Sequence, residues 1–260
     1  MQTRCIGLGV LAVGILVIAL SILYVTKSAG ECNVAYIPLR GSLETYVPMD
    51  ASSSAAATAS EDVTYAVRST DADPSTRAII LAVDSPGGSP VAGEEIAHAL
   101  AGAHKPTVAL IREMGDSAAY LAATGAKKIF ASAFSDVGDI GITSSYVDQS
   151  QYDAQQGLTY NQLSVGIYKD MFDPDKPMTV AEKALVMGQL QIDYQQFIDE
   201  VAANRHLDES TVKSLSDGRS FTGKEAFDSK LIDQIGGIED VRTYLHQAFG
   251  FVPVICGVDR

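Results

Sequence analysis

From about Asp62 to Val254, apolar runs alternate with polar segments that carry helix-start signals, so strands and helices should follow one another. Ala78–Val83 (AIILAV) is continuously apolar, as expected of a strand covered on both faces. Ser89-Pro90 then supplies a capping hydroxyl and a first-turn proline for a helix to about Ala103. Pro106–Ile111 reads as the next strand, Asp116–Thr124 as a short alanine-rich helix and Lys128–Ala131 as a short strand. Thr179-Val180-Ala181-Glu182 is a capping box. It opens a long helix to about Asn204, with Leu190, Tyr194, Phe197, Ile198 and Val201 on one face. Two further helices are expected near 222–228 and 238–248. Ahead of this region, Asn33–Leu43 reads as a first strand, and the small-residue stretch Pro48–Ser60 as a flexible loop. The fold class is therefore α/β, with a largely parallel sheet and flanking helices.

At the amino terminus, Ile6–Val25 is an uncharged run of 20 residues. A helix of that length spans the ~30 Å apolar core of a bilayer. Arg4 precedes it and Lys27 follows, so charge asymmetry favours an amino-terminus-inside orientation only slightly. Ser28-Ala29-Gly30 would suit signal cleavage, but the run exceeds a typical signal core, which favours an uncleaved anchor. The organisation expected is an anchor over 1–30 and one domain over 31–260.

Composition then narrows the partners. The chain carries 19 basic and 32 acidic residues, a net charge of −13. Phosphate backbones would repel it, so nucleic acid is excluded as a partner. Its three cysteines, Cys5, Cys32 and Cys256, form no CxxC pair or zinc-spaced cluster. Cys32 and Cys256 flank the domain; two free thiols is the preferred reading, with a disulfide as the alternative.

Candidate chemistry lies in two strand–helix corners. Asp84-Ser85-Pro86-Gly87-Gly88 sits between an apolar strand and a capped helix. A Gly-Gly pair there can be a simple corner, or can expose N–H groups to an oxyanion. Met114-Gly115-Asp116-Ser117-Ala118-Ala119-Tyr120 occupies the next corner, where Ser117 is either a helix cap or a nucleophile. Farther on come Gly138–Ile142 (GDIGI), Tyr168-Lys169-Asp170 and the block from Asp217-Gly218-Arg219 through Thr222-Gly223 and Ala226 to Leu231-Ile232-Asp233.

In order and spacing these segments resemble peptidase family S49, the signal peptide peptidase A type, from about Asn33 to Tyr244. The resemblance implies a ClpP/crotonase-like fold and a serine endopeptidase with a Ser/Lys dyad. Ser117 would be the nucleophile, Lys169 the general base, and the oxyanion donors backbone N–H groups among Gly87, Gly88 and Ala118. It implies no cofactor or metal, and peptide substrates such as remnant signal peptides at a membrane. It also implies a homo-oligomer in which Lys169 acts in trans, with the domain extracytoplasmic on a single-pass anchor. Ala118-Ala119 departs from the Gly-Gly that follows the serine in many members, from which an altered pocket shape is expected. A lysine base must be uncharged, and Val165, Ile167 and Tyr168 offer it an apolar setting, whereas Asp170 and Asp173 would hold it charged. No histidine competes for the role: His98, His104, His206 and His246 lie off these segments, and there is no G-x-S-x-G elbow. Two rival readings are an acyl-CoA enzyme of the same fold and a non-catalytic membrane scaffold.

Overall fold

The computed structural model describes residues 32–48 and 57–257. The expected anchor, Ile6–Val25, lies outside them. Among the described residues no helix is long and apolar enough to cross a membrane.

The apolar strands pair side by side. β1 (Val34–Glu44) lies between β2 (Ala57–Ala59) and β3 (Ala78–Gly88), and β4 (Thr107–Asp116), β5 (Lys128–Ala131) and β8 (Gln234–Ile235) continue the sheet. Every pairing along this path is parallel. β6 (Asp136–Gly138) adds to the end of β4 and pairs antiparallel with β7 (Ser220–Thr222). Part of the loop expected over Pro48–Ser60 is thus ordered: Ala57–Ala59 forms β2, and Ser60 starts α1 (Ser60–Ala72). Sequence pattern misses both, because α1 offers few apolar positions, of which Val63 and Val67 are buried.

The buried strands serve two cores. Ile79, Leu81 and Val83 of β3 face α1, α2 (Pro90–Ala101), α3 (Ala118–Thr124) and part of α5 (Val180–Arg205). Ala78 and Ile80 face the other way, toward Val241 and Leu245 of α8 (Ile238–Phe249). Three further short helices lie among the described residues: α4 (Ser150–Gln155), α6 (Glu209–Ser214) and α7 (Gly223–Asp228). The capping box of α5 forms as expected, with Thr179 Oγ1 accepting the Glu182 N–H and Glu182 accepting the Thr179 N–H. Phe197, Ile198 and Val201 are its buried apolar residues.

Cys32 and Cys256 are joined in a disulfide, their Cα atoms 5.0 Å apart. The two-thiol reading is therefore wrong. Its cause is spatial: Val34 bridges Ile255 and donates its N–H to Val254, which brings the two ends of the domain together.

The D-G-R to L-I-D block is largely a set of anchors. Asp233 accepts the Ile129 N–H at 2.7 Å and is gripped by Arg205 at 3.1 Å. Tyr120, fully buried, donates its hydroxyl to the Leu231 carbonyl at 2.9 Å, and burial drives its phenol pKa well up.

Candidate active site

The sheet breaks register at one level. β1 and β3 shift between Arg40 and Ser42, and β3 and β4 shift between Val83 and Ser85. Past those shifts β1 and β3 pair again at Ser42–Gly87 and Leu43–Gly88, and β3 and β4 at Ser85–Gly115, and there the two candidate corners meet.

Ser85 builds the first corner. It is fully buried, donates its hydroxyl to the Gly41 carbonyl at 2.6 Å and accepts the Gly87 N–H at 3.1 Å. The Gly87 N–H is thereby claimed. Leu43 accepts the Ser89 N–H at 2.7 Å. A parallel ladder bonds alternate residues, so the Gly88 N–H turns toward the opposite edge of β3. Both glycines have positive φ, +98° and +152°. A β-carbon at Gly88 would lie 2.2 Å from the Leu43 carbonyl oxygen. One at Gly87 would lie 2.8 Å from Ser117 Cβ and 3.0 Å from the Ala118 nitrogen. Glycine is thus required by space as well as by backbone conformation.

The second corner is a single residue wide: β4 ends at Asp116 and α3 begins at Ala118. Ser117 between them has φ 52° and ψ −126°, and its side chain makes no capping hydrogen bond. Positive φ at a non-glycine residue costs about 1–2 kcal/mol and is held here by the surroundings. The Ser117 N–H is donated to the Gly138 carbonyl at 2.7 Å. The cap reading therefore fails, and this serine is not itself an available N–H donor. The Ala118 N–H opens α3 and has no acceptor among the described residues.

Ser117 and Gly88 border a cleft of about 560 Å³ with Asp139, Gly141, Ile142, Tyr194, Asp217 and Gly218 among its walls. Tyr194 is fixed by donating its hydroxyl to the Ser216 carbonyl at 2.7 Å. Two carboxyls near the serine are perturbed upward. Burial raises Asp116, opposed by a 3.0 Å hydrogen bond from Ser220, and the charges of Asp139 and Asp136 add to the rise. Burial alone raises Asp139, whose φ of 46° is also left-handed. Sequence reading marks the GDIGI and D-G-R segments, but not that they face each other across the serine. A cleft of similar size between α1 and α2 contains no serine.

Ala118 and Ala119 are buried in the core with Leu121 and Ile96, and neither lines the cleft. The two methyl groups therefore form no wall of the cleft whose shape they were expected to alter. None of the four histidines lines the cleft either.

Lys169 is placed apart from this cleft, on an exposed segment between α4 and α5. The apolar setting expected from its neighbours is missing within one chain: Val165 is 100% exposed, Leu163 98% and Ile167 77%. The neighbouring acids do not hold the lysine. Asp170 pairs with Lys176 at 3.3 Å and accepts from Tyr160 at 2.8 Å, and Asp173 also accepts from Tyr160. Among the described residues the Lys169 amine has no hydrogen-bond or ionic partner.

The sheet, its helices and the serine corner define an α/β protein with a ClpP-like, mostly parallel architecture. A mutant of ClpP1 from Listeria monocytogenes superposes with a TM-score of 0.51 at 13% identity, covering 79% of this chain and 92% of that one. Residues 99–251 match the profile of Peptidase family S49, more than half of the chain, and the protein belongs to that family. It is 32% identical over 171 residues to "Putative signal peptide peptidase SppA" of Enterococcus faecium, covering 65% of this chain and 50% of that protein. It is 30% identical over 177 residues to a "Putative protease" of Methanocaldococcus jannaschii, covering 67% and 57%. The chain thus spans only about half the length of these curated relatives.

Proposed function

We propose that this protein is a serine endopeptidase in which Ser117 is the nucleophile and Lys169, supplied by a neighbouring copy of the chain, is the general base. The observation that carries the reading is the Ser117 corner. A strained serine with no side-chain hydrogen bond borders an open cleft with Gly88, and the N–H of the adjoining Ala118 has no acceptor among the described residues. Two N–H donors of that kind would hold the oxygen of a peptide carbonyl as it becomes an oxyanion, at ~3–4 kcal/mol per donor. Of the three donors named from sequence, Gly88 and Ala118 are the two in this proposal, because the Gly87 N–H is donated to Ser85.

In the reaction, the Ser117 hydroxyl loses its proton to the Lys169 amine as Oγ attacks the carbonyl carbon. The leaving amine takes that proton back, and a water, deprotonated in turn, releases the acyl group. The lysine must be neutral to begin, so it must be desolvated. In one chain it is exposed, as are the apolar residues around it. A second copy covering Leu163, Val165 and Ile167 would supply both the burial and the approach to a neighbour's serine. The membrane anchor over Ile6–Val25 and an extracytoplasmic domain complete the proposal; the Cys32–Cys256 disulfide supports an oxidising compartment. Peptides left at or near the membrane, including remnant signal peptides, are the proposed substrates.

The test is complementation in mixed assemblies. Ser117→Ala and Lys169→Ala should each abolish cleavage of a fluorogenic peptide with small or apolar side chains. Co-assembling the two inactive variants should restore part of it, since some interfaces then pair an intact serine with an intact lysine. Two active single variants would refute the dyad, and no recovery in verified mixed assemblies would refute action in trans.

A further inference from the structure

Beside the start of α2, a small groove of about 240 Å³ runs between α2 and α5, with Pro90 and Val91 at one end. Its floor is apolar, with Leu121 and the buried Phe197, and Glu94 and Glu200 stand at its walls. Glu94 and His98 are four residues apart on α2 and so share one face of that helix. Glu200 comes from α5, with its carboxylate 3.6 Å from His98 Nε2. One ligand atom from each of the three residues lies within 4.8 Å of the other two. Among the described residues no lysine or arginine pairs with either carboxylate. Two carboxylates of a strongly acidic chain thus stand close to one exposed imidazole, with the apolar groove beside them.

We propose that Glu94, His98 and Glu200 form a binding site for a divalent transition cation of the zinc type. The donor set decides the class: an imidazole nitrogen with two carboxylates suits zinc, whereas magnesium and calcium prefer all-oxygen shells. The dimensions are compatible. Ligand atoms around a tetrahedral zinc stand about 3.3 Å apart, so the widest pair, at up to 4.8 Å, closes by about 1.5 Å through rotation of exposed side chains. Water completes the shell. Such an ion would cross-link α2 to α5. α2 starts two residues after Gly88, and α5 carries Tyr194, so the metal would tie together two walls of the Ser117 cleft. Glu94 and His98 are four positions apart, but Glu200 lies about a hundred positions further on, which hides the three-residue set from motif reading.

The experiment is zinc chloride titration of the chelator-treated full chain in detergent, followed by calorimetry and by thermal unfolding. One zinc per chain is expected. At free zinc a hundredfold above Kd the melting temperature should rise by roughly 5–10 °C. His98→Ala should remove both the binding and the shift. Glu94→Gln and Glu200→Gln should each weaken binding at least tenfold, and His104→Ala should change nothing. All of these side chains are at the surface, and metal-free melts identical to the parent's verify that each variant folds. Cobalt offers a second readout, a visible d–d spectrum lost in His98→Ala. No saturable binding, equal binding of magnesium, or zinc binding undiminished in His98→Ala and both glutamate variants would each overturn the proposal. None of these measurements depends on peptide hydrolysis.

Discussion

The two halves of the proposed dyad sit in opposite kinds of structure. Around Ser117 the chain is buried and cross-bonded: Ser85 ties Gly41 to Gly87, Gly138 takes the Ser117 N–H, and β3 and β4 form the middle of the sheet. Around Lys169 the chain has short turns, few long-range bonds and a row of apolar side chains in water. A nucleophile held in a strained conformation needs the first kind of surroundings, because local strain persists only where many contacts oppose its release. A base that must be desolvated needs burial, which its own chain does not provide. On the proposed mechanism, the serine half would be finished on folding and the lysine half only against another surface.

The largest expected effect separates these two states. Leu163→Asp with Val165→Asp should leave the folding stability of the unassembled chain within about 0.5 kcal/mol of the parent's, because both residues are fully solvated there. The same double variant should lose the assembled state in analytical ultracentrifugation and reduce peptide hydrolysis to background. An assembly that survives both charges and still cleaves peptides would show that this segment is not the contact. At the other half, Gly87→Ala should act without touching assembly. Its β-carbon would press on Ser117 Cβ and the Ala118 nitrogen, so kcat should fall by about 10²–10³-fold, the cost of losing one oxyanion donor. Wild-type kcat from a folded Gly87→Ala enzyme would remove the corner from the mechanism.

How much of this was legible in the sequence follows the range of the interactions. Ser89-Pro90 and Thr179–Glu182 announce helix starts because capping is settled within four residues. Ala78–Val83 announces a buried strand because every position is apolar. The candidate corners could be marked, but not resolved. Whether Gly87 or Gly88 offers a free N–H depends on Ser85, Leu43 and the strand register, and the Ser117 N–H is claimed by a carbonyl in β6. The cleft walls Asp139 and Asp217 meet only through the β6–β7 pairing. The disulfide depended on an approach of chain ends that no local pattern encodes. For Lys169, nearby apolar residues suggested burial, but apolar sequence shows only that a surface wants covering, not that its own chain covers it.

Ser85 tests how rigid the serine half is. Ser85→Ala would leave the Gly41 carbonyl and the Gly87 N–H without their partner in a buried place, at a cost of about 1–3 kcal/mol. Denaturant unfolding should record that loss in the midpoint. Hydrolysis should fall as well, because the same two bonds set the pitch of the glycine turn. Loss of stability with activity intact would make Ser85 a purely structural residue.

The smallest effect probes the electrostatics beside the nucleophile. Burial raises the Asp116 carboxyl pKa above its ordinary value, against the pull of Ser220 and with the help of Asp139 and Asp136. A carboxyl raised on folding favours the folded state while it is protonated, below the unfolded pKa. That contribution is lost as pH rises through the folded pKa, beyond which the charge is held at a cost. Asp116→Asn removes the charge and keeps an oxygen for the Ser220 hydroxyl, so at neutral pH it should stabilise the domain. Asp116 is only half-buried and solvent screens it, which limits the gain to about 0.5 kcal/mol. The gain should shrink as pH falls and vanish once Asp116 is protonated in both states. Chemical unfolding of parent and variant at neutral and acidic pH measures it. A variant less stable than the parent at neutral pH would mean that the Asp116 charge is itself part of what holds Ser117 in place.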